Sequence, residues 1–211
     1  MIKVNETWGK RNCLFPKSSS HNIRFFFQKS VVLRMNKLKI ETFIGEEDIN
    51  AFPDLVIESF HISNPLAVEK AQTILEENEG DYLCGFVSLI YNDVVIFGEE
   101  QITESLLDTW LDLIYIFNTH YDGSSHRIVF LDNHPYIETT IQEIDQSYEI
   151  HLDRNQCFLV PIEPFRNEVK RKFFEFMEFC QNEKLQFSED SSYRVLLETY
   201  KELIQNENCL F

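Results

Sequence analysis

The sequence predicts an α+β fold: a mostly antiparallel sheet of about six or seven strands, packed by three or four helices in two layers. Three observations carry this. Short Phe/Val/Ile-rich runs, separated by Asn/Asp/Gly/Ser turn clusters, recur between residues 82 and 160. Longer stretches before and after them repeat apolar residues at i, i+3, i+4, the period of a helix with one buried face. The composition, with 19 Phe against six Gly and six Pro, supplies bulky core material and few flexible turns.

The elements follow in order. Lys37–Ile44 alternates polar and apolar as a first strand, and Glu46-Glu47-Asp48 reads as a solvated acidic turn after it. Leu55–Ile62 is compatible with a strand or a short helix. Asn64-Pro65 marks a helix start, Asn as the cap and Pro at the first helical position, with Leu66, Val68, Ile74 and Leu75 apolar and Gly80 as the stop. Tyr82–Ile90 and Val94–Phe97, joined by Tyr91-Asn92-Asp93, form a hairpin whose first arm is almost continuously apolar and so central in its sheet. Thr103 is expected to cap a helix whose apolar face holds Leu106, Leu107, Trp110, Leu111, Leu113, Ile114 and Phe117.

His126–Leu131, Tyr136–Ile144, Tyr148–Leu152 and Cys157–Val160 are four β-like runs broken by polar turns, the spacing of an antiparallel meander. A helix from near Pro164 to about Glu183 turns Phe165, Val169, Phe173, Phe176, Met177 and Cys180 inward. A last one, with Ser188 as cap and Glu189 and Asp190 in its first turn, carries Tyr193, Leu196, Leu197, Tyr200, Leu203 and Ile204 on one stripe.

Charge divides the 211 residues into unlike pieces. The formal total is −16. Residues 1–34 hold seven Lys/Arg and one acid, Glu6, for +6, which leaves residues 35–211 with 12 basic and 34 acidic residues, −22. Such an excess excludes a nucleic-acid binder of the ordinary basic kind, which needs surplus Lys and Arg on its contact face. No G-x-G-x-x-G or G-x-x-x-x-G-K-[ST] occurs, so the commonest dinucleotide and P-loop arguments fall away. The longest apolar run, Leu83 to Tyr91, is too short to cross a bilayer, which takes roughly 20 residues. No membrane partner is expected.

Residues 35–211 read as a single acidic domain, and residues 1–34 as a basic leader or arm, poorly ordered or foreign to the native protein. The abrupt change in composition and the in-frame Met35 favour a native start there. An organelle targeting peptide and a functional basic arm are the other two accounts.

Cys13, Cys84, Cys157, Cys180 and Cys209 are widely spaced, odd in number and without a C-x-x-C pair. They read as free thiols of a reducing, cytoplasmic setting. His120, His126 and His134, with Asp122 and Asp132 nearby, are the one metal-like grouping, but their spacing matches no ligand pattern. No metal site, cofactor or catalytic residue is expected: Cys84 and Ser88 lie inside an apolar strand, and no G-x-S-x-G or H-E-x-x-H occurs.

The placement of acids is more informative. Glu104, Asp108 and Asp112 recur at i, i+4, i+8 and would line one helix ridge, at a cost of a few tenths of a kcal/mol per pair. With Glu99 and Glu100 just before, they form a candidate docking surface for a basic protein, the alternative being a merely solvated acidic face. Against them stand Arg166, Lys170, Arg171 and Lys172, read as internal charge compensation.

In composition and element order, residues 35–211 resemble the immunity proteins of bacterial toxin systems, whose acidic surfaces neutralise basic toxin domains, and are similar to uncharacterised bacterial domain families. The resemblance implies a non-enzymatic acidic binding protein and a basic protein partner, and carries over no functional residue. The alternative is a small-molecule-binding regulator or a hydrolytic enzyme with a pocket between sheet and helices. The leader yields a direct test: intact-mass measurement of the protein from its native host is expected to give a species starting at Met35. One starting at Met1 overturns that reading, and one starting between them favours processing.

Overall fold

The structure, a computed structural model, describes residues 37–48, 56–118, 125–128, 139–152 and 156–208. The chain divides into two compact units, Met1–Arg34 and Met35–Phe211, and the described residues all belong to the second. The basic leader, the start at Met35, Cys13, His120, Asp122, Asp132, His134 and Cys209 lie outside the described residues.

The α+β class holds, with four helices and antiparallel strands. The single sheet of six or seven strands does not: the described residues form two sheets of four. The first contains β1 (Leu38–Asp48), β2 (Val56–His61), β3 (Gly85–Tyr91) and β4 (Val94–Phe97) in the order β2-β1-β3-β4. The second is the expected meander of β5 (His126–Ile128), β6 (Thr139–Ile144), β7 (Ser147–His151) and β8 (Cys157–Pro161). Periodicity identifies which residues are extended, but strand pairing is non-local, so nothing in the sequence says that β4 ends one sheet and β5 begins another.

Alternation explains β1. Ile40, Thr42 and Ile44 are almost wholly buried, while Lys39 and Glu41 form an ion pair at 2.7 Å on the other face. The strand runs on through Glu46-Glu47-Asp48, expected as a turn, and pairs there with Val56–Glu58. One of these acids has its own cation: Lys70 Nζ, on the helix α1 (Pro65–Glu77), donates to Glu46 Oε2 at 2.7 Å. Asn64 caps α1 as expected, its Oδ1 accepting from Leu66 N at 3.0 Å.

β3 is central and buried from Gly85 to Leu89. Its first residue has to be glycine, because a Cβ there would lie 2.1 Å from the carbonyl oxygen of Phe43 on β1. The turn into β4 is tighter than expected. Tyr91 pairs directly with Val94, so Asn92 and Asp93 form a two-residue loop, with φ of 52° and 65°. Positive φ at both central residues is the primed-turn geometry that suits the twist of a hairpin, and Asn and Asp tolerate it best after Gly.

The remaining helices are α2 (Leu106–Asn118), α3 (Ile162–Cys180) and α4 (Tyr193–Asn208). All six residues expected to face inward on α3 are buried. Trp110 of α2 stacks on Phe176 at 5.4 Å, and Phe165 meets Tyr148 of β7 edge-on at 5.3 Å. One continuous core thus draws on both sheets and all four helices.

Ser188 does not cap α4. Its N–H donates to Gly80 O at 2.9 Å and its hydroxyl to Asp81 Oδ1 at 2.7 Å, which diverts it to the end of α1. The helix starts at Tyr193 instead, with Ser192 O accepting from Leu196 N at 3.1 Å.

Thr42 Oγ1 is buried and finds no hydrogen-bond partner among the described residues. An unsatisfied buried hydroxyl costs about 1–3 kcal/mol, and Val has nearly the same shape. Thr42→Val is therefore expected to raise stability by about 1 kcal/mol, read as a higher midpoint of urea unfolding at unchanged slope.

Candidate functional site

The five acids expected on one ridge fall into two groups. The segment 103–105 is drawn into backbone bonds with the entrance to β3 instead of starting a helix. Gly85 and Thr103 exchange two hydrogen bonds of 2.9 Å, and Leu106 N donates to Leu83 O at 3.2 Å. Thr103 Oγ1 accepts from Ser105 N at 2.9 Å, so the expected helix cap closes a local turn and α2 begins at Leu106. Glu104 consequently stands outside the helix, exposed, as are Glu99 and Glu100 on a single 3-10 turn, Glu99–Gln101.

Asp108 and Asp112 do lie on α2, both half-buried. Asp108 occupies the first turn, where the helix N-terminus favours an acid, and accepts a short hydrogen bond from the Ser192 hydroxyl at the start of α4. It joins two helices before it can meet a partner.

Glu104 of the exposed group has a neighbour in electrostatic terms, Tyr82, that the sequence did not announce. Asn78, at the end of α1, holds the backbone of Tyr82 through its side chain, donating to Tyr82 O at 2.9 Å and accepting from Tyr82 N at 3.3 Å. The Tyr82 ring is 39% exposed. Burial first, then the Glu104 carboxylate, then Cys84, Glu46 and Glu77, push its phenol above the ordinary range. Carboxylates from β1, from α1 and from the segment before α2 thus all act electrostatically on one partly exposed residue. β4 forms the edge of the first sheet among the described residues, with Val94 and Val95 exposed beside the Tyr91 end of β3, and runs on into Glu99 and Glu100.

The basic concentration on α3 is answered within the fold. Arg171 bonds Glu168 and Glu175, Lys172 Nζ reaches Glu175 at 2.7 Å, and Arg166 donates to the Tyr148 hydroxyl at 2.8 Å with Glu143 at 3.7 Å. Lys170 lies over the Phe174 ring. These pairs match the reading as internal compensation.

The buried thiols are poor nucleophiles. Burial, then Glu46 and Glu104, push Cys84 up to about 12, and complete burial pushes Cys180 well above the ordinary thiol range.

A grouping that the sequence reading passed over is Glu149, His151 and Cys157, drawn together by the β7–β8 register, in which His151 faces Cys157. The signal was present: a hairpin folded about Arg154 pairs 151 with 157, and i, i+2 spacing puts Glu149 on the same face. His126, on β5, is half-buried and faces Ile141 across the β5–β6 pair.

No protein-family model, no curated protein and no solved structure matches this chain.

Asp108 supplies a test of how its charge is used. Asp108→Ala removes a charge-assisted hydrogen bond between α2 and α4 and is expected to cost about 1.5–3 kcal/mol in urea unfolding. Asp108→Asn keeps an acceptor and should lose less than about 1 kcal/mol.

Proposed function

We propose that this chain is a non-enzymatic acidic docking protein, of the immunity-protein kind, that works in the cytoplasm by capturing a basic protein partner. The partly exposed Tyr82, lying in the field of the exposed Glu104 and Glu77 carboxylates, carries the reading. A rigid aromatic side chain among carboxylates suits an incoming Arg or Lys, which can stack on the ring while its charge meets the acids. Internal pairing of Lys70, Arg166, Arg171 and Lys172 supports it further, because the fold then presents mainly its surplus of acid to solvent.

Glu99 and Glu100, exposed on the turn that follows β4, add to the acid presented to solvent. Asp112 belongs to the periphery of the acidic surface, and Asp108 contributes field more than contact, since Ser192 occupies one of its oxygens. In this reading the helices cover one face of each sheet in a two-layer arrangement, and the partner meets the acidic rim of the first.

Steering by such a surface acts on the association rate and is screened by salt. The full chain is to be measured against a basic protein recovered with it from native lysate. Glu104→Lys is expected to slow association about tenfold at low ionic strength, a difference that closes near 1 M salt, where the screening length is about 3 Å. Tyr82→Ala should instead speed dissociation. Association by Glu104→Lys at the wild-type rate and with the wild-type salt dependence would sink the proposal.

A further inference from the structure

On the second sheet, away from the acidic surface around Tyr82, three side chains of different chemistry meet on one exposed face. Glu149 and His151 alternate along β7, and Cys157 opens β8 directly opposite His151. Cys157 Sγ donates to Glu149 Oε1 at 3.1 Å, and His151 Nε2 lies 3.2 Å from Glu149 Oε2. One carboxylate oxygen, one ring nitrogen and the sulfur all fall within 4.8 Å of one another.

We propose that Glu149, His151 and Cys157 form a site for one zinc-class divalent cation. A tetrahedral zinc ion, with bonds near 2.0–2.3 Å, sets its ligand atoms about 3.4–3.7 Å apart. The thiol and imidazole contacts use different oxygens of Glu149. At whichever oxygen coordinates, one separation is already close to the tetrahedral spacing, and the other two, within 4.8 Å, need to shorten by at most about 1.4 Å, which rotamer shifts on a strand face can supply. Two strands of one antiparallel sheet hold the three Cα positions, so the site is largely pre-formed.

The donor set determines the ion. Thiolate and imidazole are borderline-soft ligands that select zinc and its neighbours, whereas magnesium and calcium call for oxygen ligands alone. On binding, a metal–sulfur bond forms and the Cys157 thiol proton leaves to solvent. That frees the Glu149 oxygen to coordinate, while the proton on Nε2 that faces Glu149 Oε2 passes to solvent and Nδ1 keeps or takes up one, so that neutral His151 binds through the Nε2 lone pair. Three protein ligands on an open surface leave the fourth position to water.

The arrangement argues against nucleophilic catalysis by the same residues. Glu149 stands between the thiol and the imidazole, whereas an activated cysteine needs the base against its sulfur.

The test uses the full chain, stripped with chelator and then given zinc alone, with alkylation of each cysteine followed by peptide mass spectrometry. Stoichiometric zinc is expected to slow labelling of Cys157 more than about tenfold, and magnesium to leave it unchanged. His151→Gln should abolish the protection, as should Glu149→Gln. Both positions are part-exposed, so unfolding midpoints in chelator are expected to match the wild type, and a variant whose midpoint falls is replaced by the other. Cobalt in place of zinc should give a thiolate charge-transfer band that Cys157→Ser removes. Labelling of Cys157 indifferent to zinc, or protection that survives in both variants, overturns the site.

Discussion

Much of the described fold leans on one helix. Across its 19 residues, α3 presents Phe165 to Tyr148 of the second sheet, Phe173 and Phe176 to Trp110 of α2, and Phe174 to Tyr200 of α4. It also packs on β1, so the first sheet closes against it as well. Burying one large apolar side chain contributes about 1.5–3 kcal/mol, and an aromatic pair adds roughly 0.5–1.5. Two sheets that share no strand pairing are held in one core by these contacts. That constraint explains why the chain carries so many phenylalanines: flat rings from four elements fill the space around a single cylinder with few gaps.

What the sequence made legible follows the range of each signal. The inward face of α3 could be read residue by residue, because over many turns a 3.6-residue period has one consistent solution. The β3–β4 hairpin was legible within one residue, since Asn92-Asp93 tolerates positive φ, and Asn64-Pro65 gave the start of α1. Misreadings arose where good local chemistry was claimed by something distant in sequence. Thr103 is a sound cap, but its backbone pairs with Gly85. Ser188 is another, but its hydroxyl reaches Asp81. Glu46-Glu47-Asp48 looks like a turn until Lys70 and β2 supply partners. The division into two sheets is the extreme case, for no local pattern records which strand lies beside which.

The candidate surfaces show the same limit. Spacing put Glu104, Asp108 and Asp112 on one ridge only if the helix began at Thr103. The displaced start separates an exposed acid from two that α2 holds, and one of those is bonded across to α4. Tyr82 drew no notice because an aromatic residue before an apolar strand normally belongs to the core. The acids that act on it come from segments far apart in the chain, so their joint effect is a property of the fold. Glu149, His151 and Cys157 were the more recoverable grouping, needing only the register of one hairpin.

Ser188 draws two distant segments of the unit together. Its two hydrogen bonds, to Gly80 and Asp81, span 107 residues in the case of the side chain. Contacts at such separation close a long loop and weigh heavily on folding speed. A nascent chain cannot make them until the segment leading into α4 has left the ribosome, so the end of α1 waits for that segment. That segment serves as the clasp on a helix begun more than a hundred residues earlier.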